Sequence, residues 1–516
     1  MSGTTKRLLW IDDEIEFLRA HVIFLETRGY AVTTASGGDE GIRLIRGSEP
    51  AFDIVLLDKQ MPVRSGASTL DEIKAHWPEL PVVILTGYQH AADVAMEDKY
   101  DGYLTKPVDP NGLLLECKRI IESKERASHK FTDRYMRGYT ENKTRLGGVL
   151  SASGWMGLHT SLAMWDHEID GVASEGVRQM QAGLKSDCSK KFCDFAIDNY
   201  ADWAARRPGS GKPFMAVDVA ERVVLAELGK GRSVLVMVLS GACLSQFLAI
   251  EPEVKRNFSV IATRFMSVLP TTSRFCLPSL VSGCYPNAVS ELEPGIFDTD
   301  GALDAAAMKR LMQAGLERFG AEKVKAFYAS ADGVGGKRHL KATVEAMKKG
   351  PAYGVITLDI IDKLALPAFA GRPDKEPDEG VFRRLLESWF ANSATLAMMK
   401  EVCGESCTVV LTSDHGHVYS RCASEIYETA ETGRCLRNMF SGRVSVDERE
   451  IFLLEELSHF KLPAFAPGTK CLMARENYYF ALHGRKRGAG SFQSGGISPE
   501  EMIMPLYICR PFGSAE

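Results

Sequence analysis

Ile54-Val-Leu-Leu-Asp58-Lys-Gln-Met-Pro62 decides the fold of the first third of this 516-residue chain. Four consecutive apolar residues fit a strand whose two faces are both covered, as in a parallel sheet. The run stops on a carboxylate, Asp58. In open parallel sheets, ligands sit beyond the carboxyl ends of the strands. One acid therefore stands where a ligand would bind.

Neighbouring runs supply partners for it. Leu8-Leu-Trp-Ile11 ends in Asp12-Asp13-Glu14, and Val82-Val-Ile-Leu85 ends in Thr86-Gly87. Gly102-Tyr-Leu-Thr-Lys106-Pro107 is a strand stopped by a lysine and a proline. Segments with helical spacing lie between, such as Phe17, Leu18, Val22 and Leu25, and then Leu113, Leu114, Cys117, Ile120 and Ile121. Alternating strands and helices predict a doubly wound parallel sheet over residues 1–123. Asp12, Asp13, Asp58, Thr86 and Lys106 then converge on one pocket. Three close carboxylates repel, and Mg²⁺, a hard oxygen-binding cation, relieves them. Asp58 is the expected nucleophile, forming an acyl phosphate. Lys106 and Thr86 are the expected donors to phosphoryl oxygens. Tyr103 is a candidate switch that rotates as Thr86 moves.

This segment resembles the receiver domain of two-component response regulators along its whole length, through Asp12-Asp13, Asp58, Met61-Pro62, Gly66, Thr86 and Lys106-Pro107. The resemblance implies phosphotransfer from a histidine kinase to Asp58. It also implies Mg²⁺ held by Asp13, Asp58 and the Gln60 carbonyl, with Asp12 acting through water.

The net charge is -5, and residues 1–123 alone carry -7, so the remainder is near +2. No long basic block and no helix-turn-helix pattern marks a DNA-binding element. No apolar run is long enough to span a membrane. With no export signal at the start, a cytoplasmic location and reduced thiols are expected for the 12 cysteines.

Residues 124–231 read as a helical connector. Arg119-Ile-Ile-Glu-Ser-Lys-Glu-Arg126 continues the last receiver helix without Gly or Pro, which predicts a stiff coupling. Trp155, Leu158, Leu162 and Trp165 have helical spacing and predict a packed bundle. A metal site at His159, Asp166, His167 and Glu168 is the weaker alternative.

Residues 232–516 read as a larger α/β effector. Ser233–Leu239 is a second buried strand; Tyr353–Leu358 ends in Asp359 and Asp362, and Thr408–Thr412 ends in Ser413-Asp414-His415-Gly416-His417. Helices are expected over 304–319 and 381–399. Ser267-Val-Leu-Pro-Thr-Thr-Ser273-Arg-Phe, Ser282-Gly-Cys-Tyr-Pro286, Thr412-Ser-Asp414-His415-Gly416 and Phe492-Gln-Ser494-Gly-Gly-Ile-Ser resemble the PglZ domain of the alkaline phosphatase superfamily. The three-part order is similar to PorX-type response regulators, which implies a role in type nine secretion.

The superfamily resemblance implies a two-zinc phosphoryl-transfer centre with a Thr or Ser nucleophile. Here Ser273 takes the nucleophile position, and Asp362, Asp414 and His415 keep ligand positions. Ser240 stands for an expected acid; Leu366 and Ser494 stand for expected imidazoles. Catalytic zinc normally has three protein ligands, so this count argues against a working pair. The expectation is a degenerate effector, a pseudoenzyme that signals by binding a protein partner after phosphorylation-driven homodimerisation. The alternative is a phosphorylation-gated zinc phosphodiesterase acting on nucleotides or oligonucleotides.

Overall fold

A computed structural model describes residues 5–48, 51–87, 99–170, 175–206, 211–298, 303–331, 336–359, 379–404, 406–426, 437–442, 446–482 and 491–513. The chain falls into two compact units: Met1–Gly138 with Ile169–Val177, and Tyr139–Glu168 with Arg178–Glu516.

In the first unit, β1 (Lys6–Ile11), α1 (Arg19–Glu26), β2 (Tyr30–Ala35), α2 (Gly38–Arg46), β3 (Ile54–Asp58), α3 (Gly66–His76), β4 (Val82–Thr86) and β5 (Gly102–Thr105) alternate along the chain. All four strand pairings are parallel, in the order β2-β1-β3-β4-β5. Every residue of β3 and β4 is buried, as the continuous apolar runs require. One face packs Leu9, Val55, Leu57 and Ile84 against α2 and α3 residues such as Ile42 and Ile73; the other packs Trp10, Leu56 and Val83 against Leu113, Cys117 and Ile120. Strand β2 is an edge strand buried only at its ends, Tyr30 and Ala35, so no apolar run announces it. Phe17 departs from the helical face suggested by its spacing: it lies in a 3₁₀ turn, Ile15–Leu18, and is 87% exposed.

Helix α4 runs unbroken from Pro110 to Gly147, 38 residues, in agreement with the absence of a Gly or Pro break after Arg119. At 1.5 Å per residue it is about 57 Å long.

In the second unit, α5 (Ala152–Ile169, its last residue counted with the first unit) and α6 (Glu175–Ala205, from Arg178 on) are followed by the short α7 (Leu225–Leu228). Then come β6 (Ser233–Leu239), α8 (Leu244–Asn257), β7 (Ser259–Met266), α9 (Ser273–Ser282), α10 (Pro286–Leu292), α11 (Ala305–Arg318), β8 (Lys325–Ser330), α12 (Gly336–Met347) and β9 (Ala352–Leu358). After these come α13 (Glu379–Ala391), α14 (Ala394–Val402), β10 (Cys407–Thr412), β11 (Val418–Ser420), β12 (Cys422–Ile426), β13 (Asn438–Ser441), β14 (Ile451–Leu454), β15 (Lys470–Ala474), β16 (Tyr478–Leu482), β17 (Ser491–Gln493), α15 (Pro499–Met502) and β18 (Ile503–Arg510). The main sheet has the order β7-β18-β10-β6-β9-β8, with β10, β6, β9 and β8 parallel and β18 antiparallel to both neighbours.

The helix expected over 381–399 is two helices. Ser393 leaves α-helical geometry and caps α14, its hydroxyl accepting from the Leu396 amide. The expected packing of Trp155, Leu158 and Leu162 is present, but their core is not a separate bundle. Phe192 and Tyr200 of α6 share it with Val234, Val236 and Val238 of β6. The connector helices and the C-terminal sheet thus exclude water together. Asp166 accepts from Gln181 and Lys185, and is engaged as a structural anion.

One buried anion staples the sheet. Glu227 accepts from Thr408 of β10 and Arg510 of β18, each at 2.7 Å, and from Lys230 at 3.0 Å. Burial works to raise its carboxyl, but these donors hold it down at about 2. The stabilisation is complete above the ordinary carboxylate range and is lost as pH falls towards about 2. Glu227→Gln should therefore lower stability at pH 7 by about 1–3 kcal/mol. Its denaturant midpoint should also fall less between pH 5 and pH 2 than the parent's; equal acid slopes would refute the assignment.

Candidate functional site

The pocket of the first unit forms where the strand order reverses, between β1 and β3. Asp12 follows the last residue of β1, and Asp58 ends β3. Ligand atoms of Asp12, Asp13 and Asp58 lie within 4.8 Å of one another, the single such group of three among the described residues. Asp12 and Asp58 are buried and Asp13 is exposed. The Lys106 Nζ lies 2.8 Å from Asp58 Oδ2 and 2.9 Å from Asp12 Oδ2. Its own amide donates to the Thr86 carbonyl at 2.7 Å, which ties the ends of β4 and β5. Thr86 is buried beside the pocket, whereas Tyr103 is 59% exposed with its ring 6.2 Å from that of Tyr100. The Gln60 amide donates to Asp58 Oδ1 at 3.1 Å.

Gly66 earns its place sterically: a Cβ there would lie 2.2 Å from the Asp58 carbonyl oxygen. The start of α3 can therefore approach the loop after Asp58 only without a side chain.

The electrostatics follow from two buried acids sharing one lysine, with Asp13 close by. Burial raises the Asp58 carboxyl above its ordinary value, despite hydrogen bonds from Lys106 and Gln60. Burial also works to lower Lys106, but hydrogen bonds to Asp58 and Asp12 outweigh it and raise the ammonium overall. The donor set is all oxygen and over-acidic, which fits Mg²⁺.

A second constellation lies at the carboxyl ends of β6 and β10. Ser240 follows β6, and its hydroxyl lies 2.7 Å from Ser273 Oγ and donates to Asp414 Oδ1 at 3.1 Å. Ser273 opens α9. His415 Nδ1 lies 3.1 Å from Asp414 Oδ2, and its Nε2 lies 3.2 Å from Ser494 Oγ. Burial disfavours the Asp414 anion, yet the adjacent His415 holds its carboxyl below the ordinary value. Gly416 completes the turn, since a Cβ there would lie 1.9 Å from the Glu500 carbonyl oxygen. Asp362 and Leu366 lie outside the described residues. Among the described residues no group of three metal-ligating side chains meets here, and the neighbours of Asp414 and His415 are the hydroxyls of Ser240 and Ser494. Sequence reading brought Ser240, Ser273, Asp414, His415 and Ser494 together as aligned positions. It missed Thr271 and Glu501, whose side chains hold the Gly495 and Gly496 amides.

The five-stranded parallel fold and its acidic pocket define the receiver class: residues 8–118 are a response regulator receiver domain of two-component signalling. A receiver implies Mg²⁺ in that acidic pocket and a histidine kinase as phosphodonor. Residues 125–204 match a narrower group, the PorX response regulator linker domain.

Known proteins match over the receiver. The transcriptional regulatory protein ZraR of Klebsiella oxytoca is 37% identical over 124 residues, covering 23% of this chain and 27% of that protein. The transcriptional regulatory protein ResD of Bacillus subtilis is 30% identical over 125 residues, covering 24% of this chain and 51% of that protein. The chain thus spans between about a quarter and a half of these curated relatives' length. A solved receiver domain protein from Clostridium thermocellum is 36% identical and covers 23% of this chain and 97% of its own, with a TM-score of 0.22. The response regulator TrrA from Thermotoga maritima, solved with Mg²⁺-BeF, is 29% identical over 22% of this chain and 98% of its own, with a TM-score of 0.21. Among the described residues no helix is long and apolar enough to cross a membrane.

Asp13→Asn should weaken Mg²⁺ binding to the full chain by at least about tenfold, since even outer-shell changes at metal sites cost that much. Titration followed by Trp10 fluorescence would check this; unchanged affinity would remove Asp13 from the ligand set.

Proposed function

We propose that Asp58 is the phosphoacceptor of this response regulator, and that phosphorylation alters how a catalytically degenerate PglZ-like effector is presented to a protein partner. The functional parts are the receiver (residues 1–123), the helical connector (124–231) and the effector (232–516). The observation carrying the first half is Lys106 Nζ bridging Asp58 and Asp12.

The Asp58 carboxylate attacks phosphorus in line as the phosphohistidine imidazole leaves. Asp13, Asp58 and the Gln60 carbonyl would hold Mg²⁺, which would supply charge neutralisation for the transferring group. Lys106 exchanges a carboxylate oxygen for a phosphoryl oxygen, and Thr86 donates to another. Movement of Thr86 leaves room for Tyr103, outward here, to turn inward. A change at the phosphoacceptor is thereby coupled to the surface around β5 and α4 as a population shift.

For the effector, the support is ligand chemistry. Serine hydroxyls contact Asp414 and His415 where zinc would need an acid and an imidazole. A hydroxyl is a poor zinc ligand unless deprotonated. Without two metals, little activates Ser273 or neutralises a phosphoryl group. The role left to the domain is recognition. Two-component signalling is the setting, and the type nine secretion link follows from the PorX resemblance.

Three outcomes test this reading. Acetyl phosphate or beryllofluoride with Mg²⁺ should modify the protein, and Asp58→Ala should abolish the modification; labelling that persists would reassign the acceptor. Light scattering should show a monomer–dimer shift with beryllofluoride, and identical masses across a wide concentration range would remove dimerisation as the output. Zinc-dependent phosphodiester hydrolysis should stay at the level of a Ser273→Ala control. Turnover that needs zinc and vanishes in both Ser273→Ala and Asp414→Ala would falsify the degenerate-effector assignment.

A further inference from the structure

Lys106 can meet a phosphoryl oxygen only if the backbone beneath it stays in place. Its side chain is 23% exposed, while its partners Asp12 and Asp58 are buried. A lysine stem that is partly in solvent has many rotamers, so the position of its Cα decides where the ammonium is most often found. The segment from Lys106 to Pro110 joins β5 to α4, and it is tied down at both ends. The Lys106 amide donates to the Thr86 carbonyl at 2.7 Å. Asp109 caps α4, its Oδ2 accepting from the Gly112 amide at 2.8 Å and its carbonyl from the Leu113 amide at 2.9 Å.

Val108 lies between these ties. Its side chain packs against the apolar cluster that includes Trp10 and Leu113, and its carbonyl lies 2.9 Å from Nε2 of His21 on α1. A carbonyl can only accept, so Nε2 carries the proton. The same ring meets Trp10 edge-on, with centroids 6.3 Å apart and planes at 81°. Trp10 is fully buried on β1, two residues before Asp12. His21 Nδ1 is buried and has no hydrogen-bond partner among the described residues, so the Val108 carbonyl and the Trp10 ring orient the imidazole. One side chain thus touches both the strand that delivers Asp12 and the segment that follows Lys106.

We propose that His21 is a positioning residue for phosphoryl transfer: its Nε2–H holds the Val108 carbonyl and so keeps Lys106 on the phosphoryl side of the pocket. The inference rests on the reading of Asp58 as phosphoacceptor and adds a residue that touches neither the phosphoryl group nor the cation. It also sets which ligand feels the loss. Mg²⁺ depends on Asp13, Asp58 and the Gln60 carbonyl, whereas a phosphoryl group depends on Lys106 as well. Loosening Val108 therefore weakens the anion and spares the cation.

The test titrates the full chain by calorimetry, first with Mg²⁺ alone and then with beryllofluoride at saturating Mg²⁺. His21→Leu fills the space without donating, and should weaken beryllofluoride by about fivefold, the worth of one hydrogen bond, with Mg²⁺ affinity unchanged. His21→Gln can donate from its own Nε2 to the Val108 carbonyl and should restore most of the beryllofluoride affinity. Equal weakening of both ligands would make His21 a general support of the fold and overturn the proposal. Wild-type beryllofluoride affinity in His21→Leu, or a His21→Gln protein no better than His21→Leu, would overturn it too while leaving Asp58 as the acceptor. A parent protein that takes no beryllofluoride would remove the phosphoacceptor reading and this proposal together.

Discussion

One ammonium shared by two buried carboxylates is the constraint on which the first unit depends. Asp12 and Asp58 are brought to adjacent strand ends by the parallel pairing of β1 and β3. Nothing in their apolar surroundings would tolerate two anions together. Lys106, delivered by β5, offsets part of that cost. The balance is deliberately incomplete in chemical terms: with Asp13 alongside, three acids face one lysine. The surplus negative charge makes the pocket receptive to a cation, and a cation in turn makes it receptive to phosphate. Stability and function draw on one arrangement, because the groups that disfavour each other without ligand are those that hold it.

The second unit handles buried charge differently. Glu227 has a full set of donors from β10, β18 and the turn after α7, and Arg437 has a fully buried carboxylate partner in Glu501. Such satisfied pairs specify a single packing and leave no appetite for a ligand. The contrast separates scaffold from site within one chain: charge in deficit marks the pocket, and charge in balance marks the frame. By that criterion the Asp414–His415 pair is intermediate, since its outer partners are neutral hydroxyls.

Legibility in the sequence followed burial. Strands β3 and β6 were read with their observed bounds because both faces are covered, so all but one terminal residue of each, Asp58 and Ser233, is apolar. Strand β2 escaped because only Tyr30 and Ala35 at its ends are buried, and an edge strand needs no continuous run. The break at Ser393 was written in the sequence as a capping residue, but the apolar periodicity on either side masked it. The pocket acids were legible because they sit at the carboxyl ends of two adjacent strands, Asp12 and Asp13 after β1 and Asp58 on β3, so a fold-level rule places them. The core shared by α6 and β6 was not legible, because helical spacing shows that a face is buried and not what covers it.

The constellation around Ser494 shows the limit more sharply. Read as an aligned position, Ser494 is a loss, an imidazole replaced by a weak ligand. Read in space, it meets His415 across 79 positions of sequence. The meeting is made by the fold: the turn through Gly416 packs against the Glu500 carbonyl, and the Gly495 amide is held by Thr271, far away in the chain. Spacing along the sequence cannot show which side chains finally face one another. Which chemistry such a polar cluster supports depends on the few side chains that face inward, and only the folded arrangement selects them.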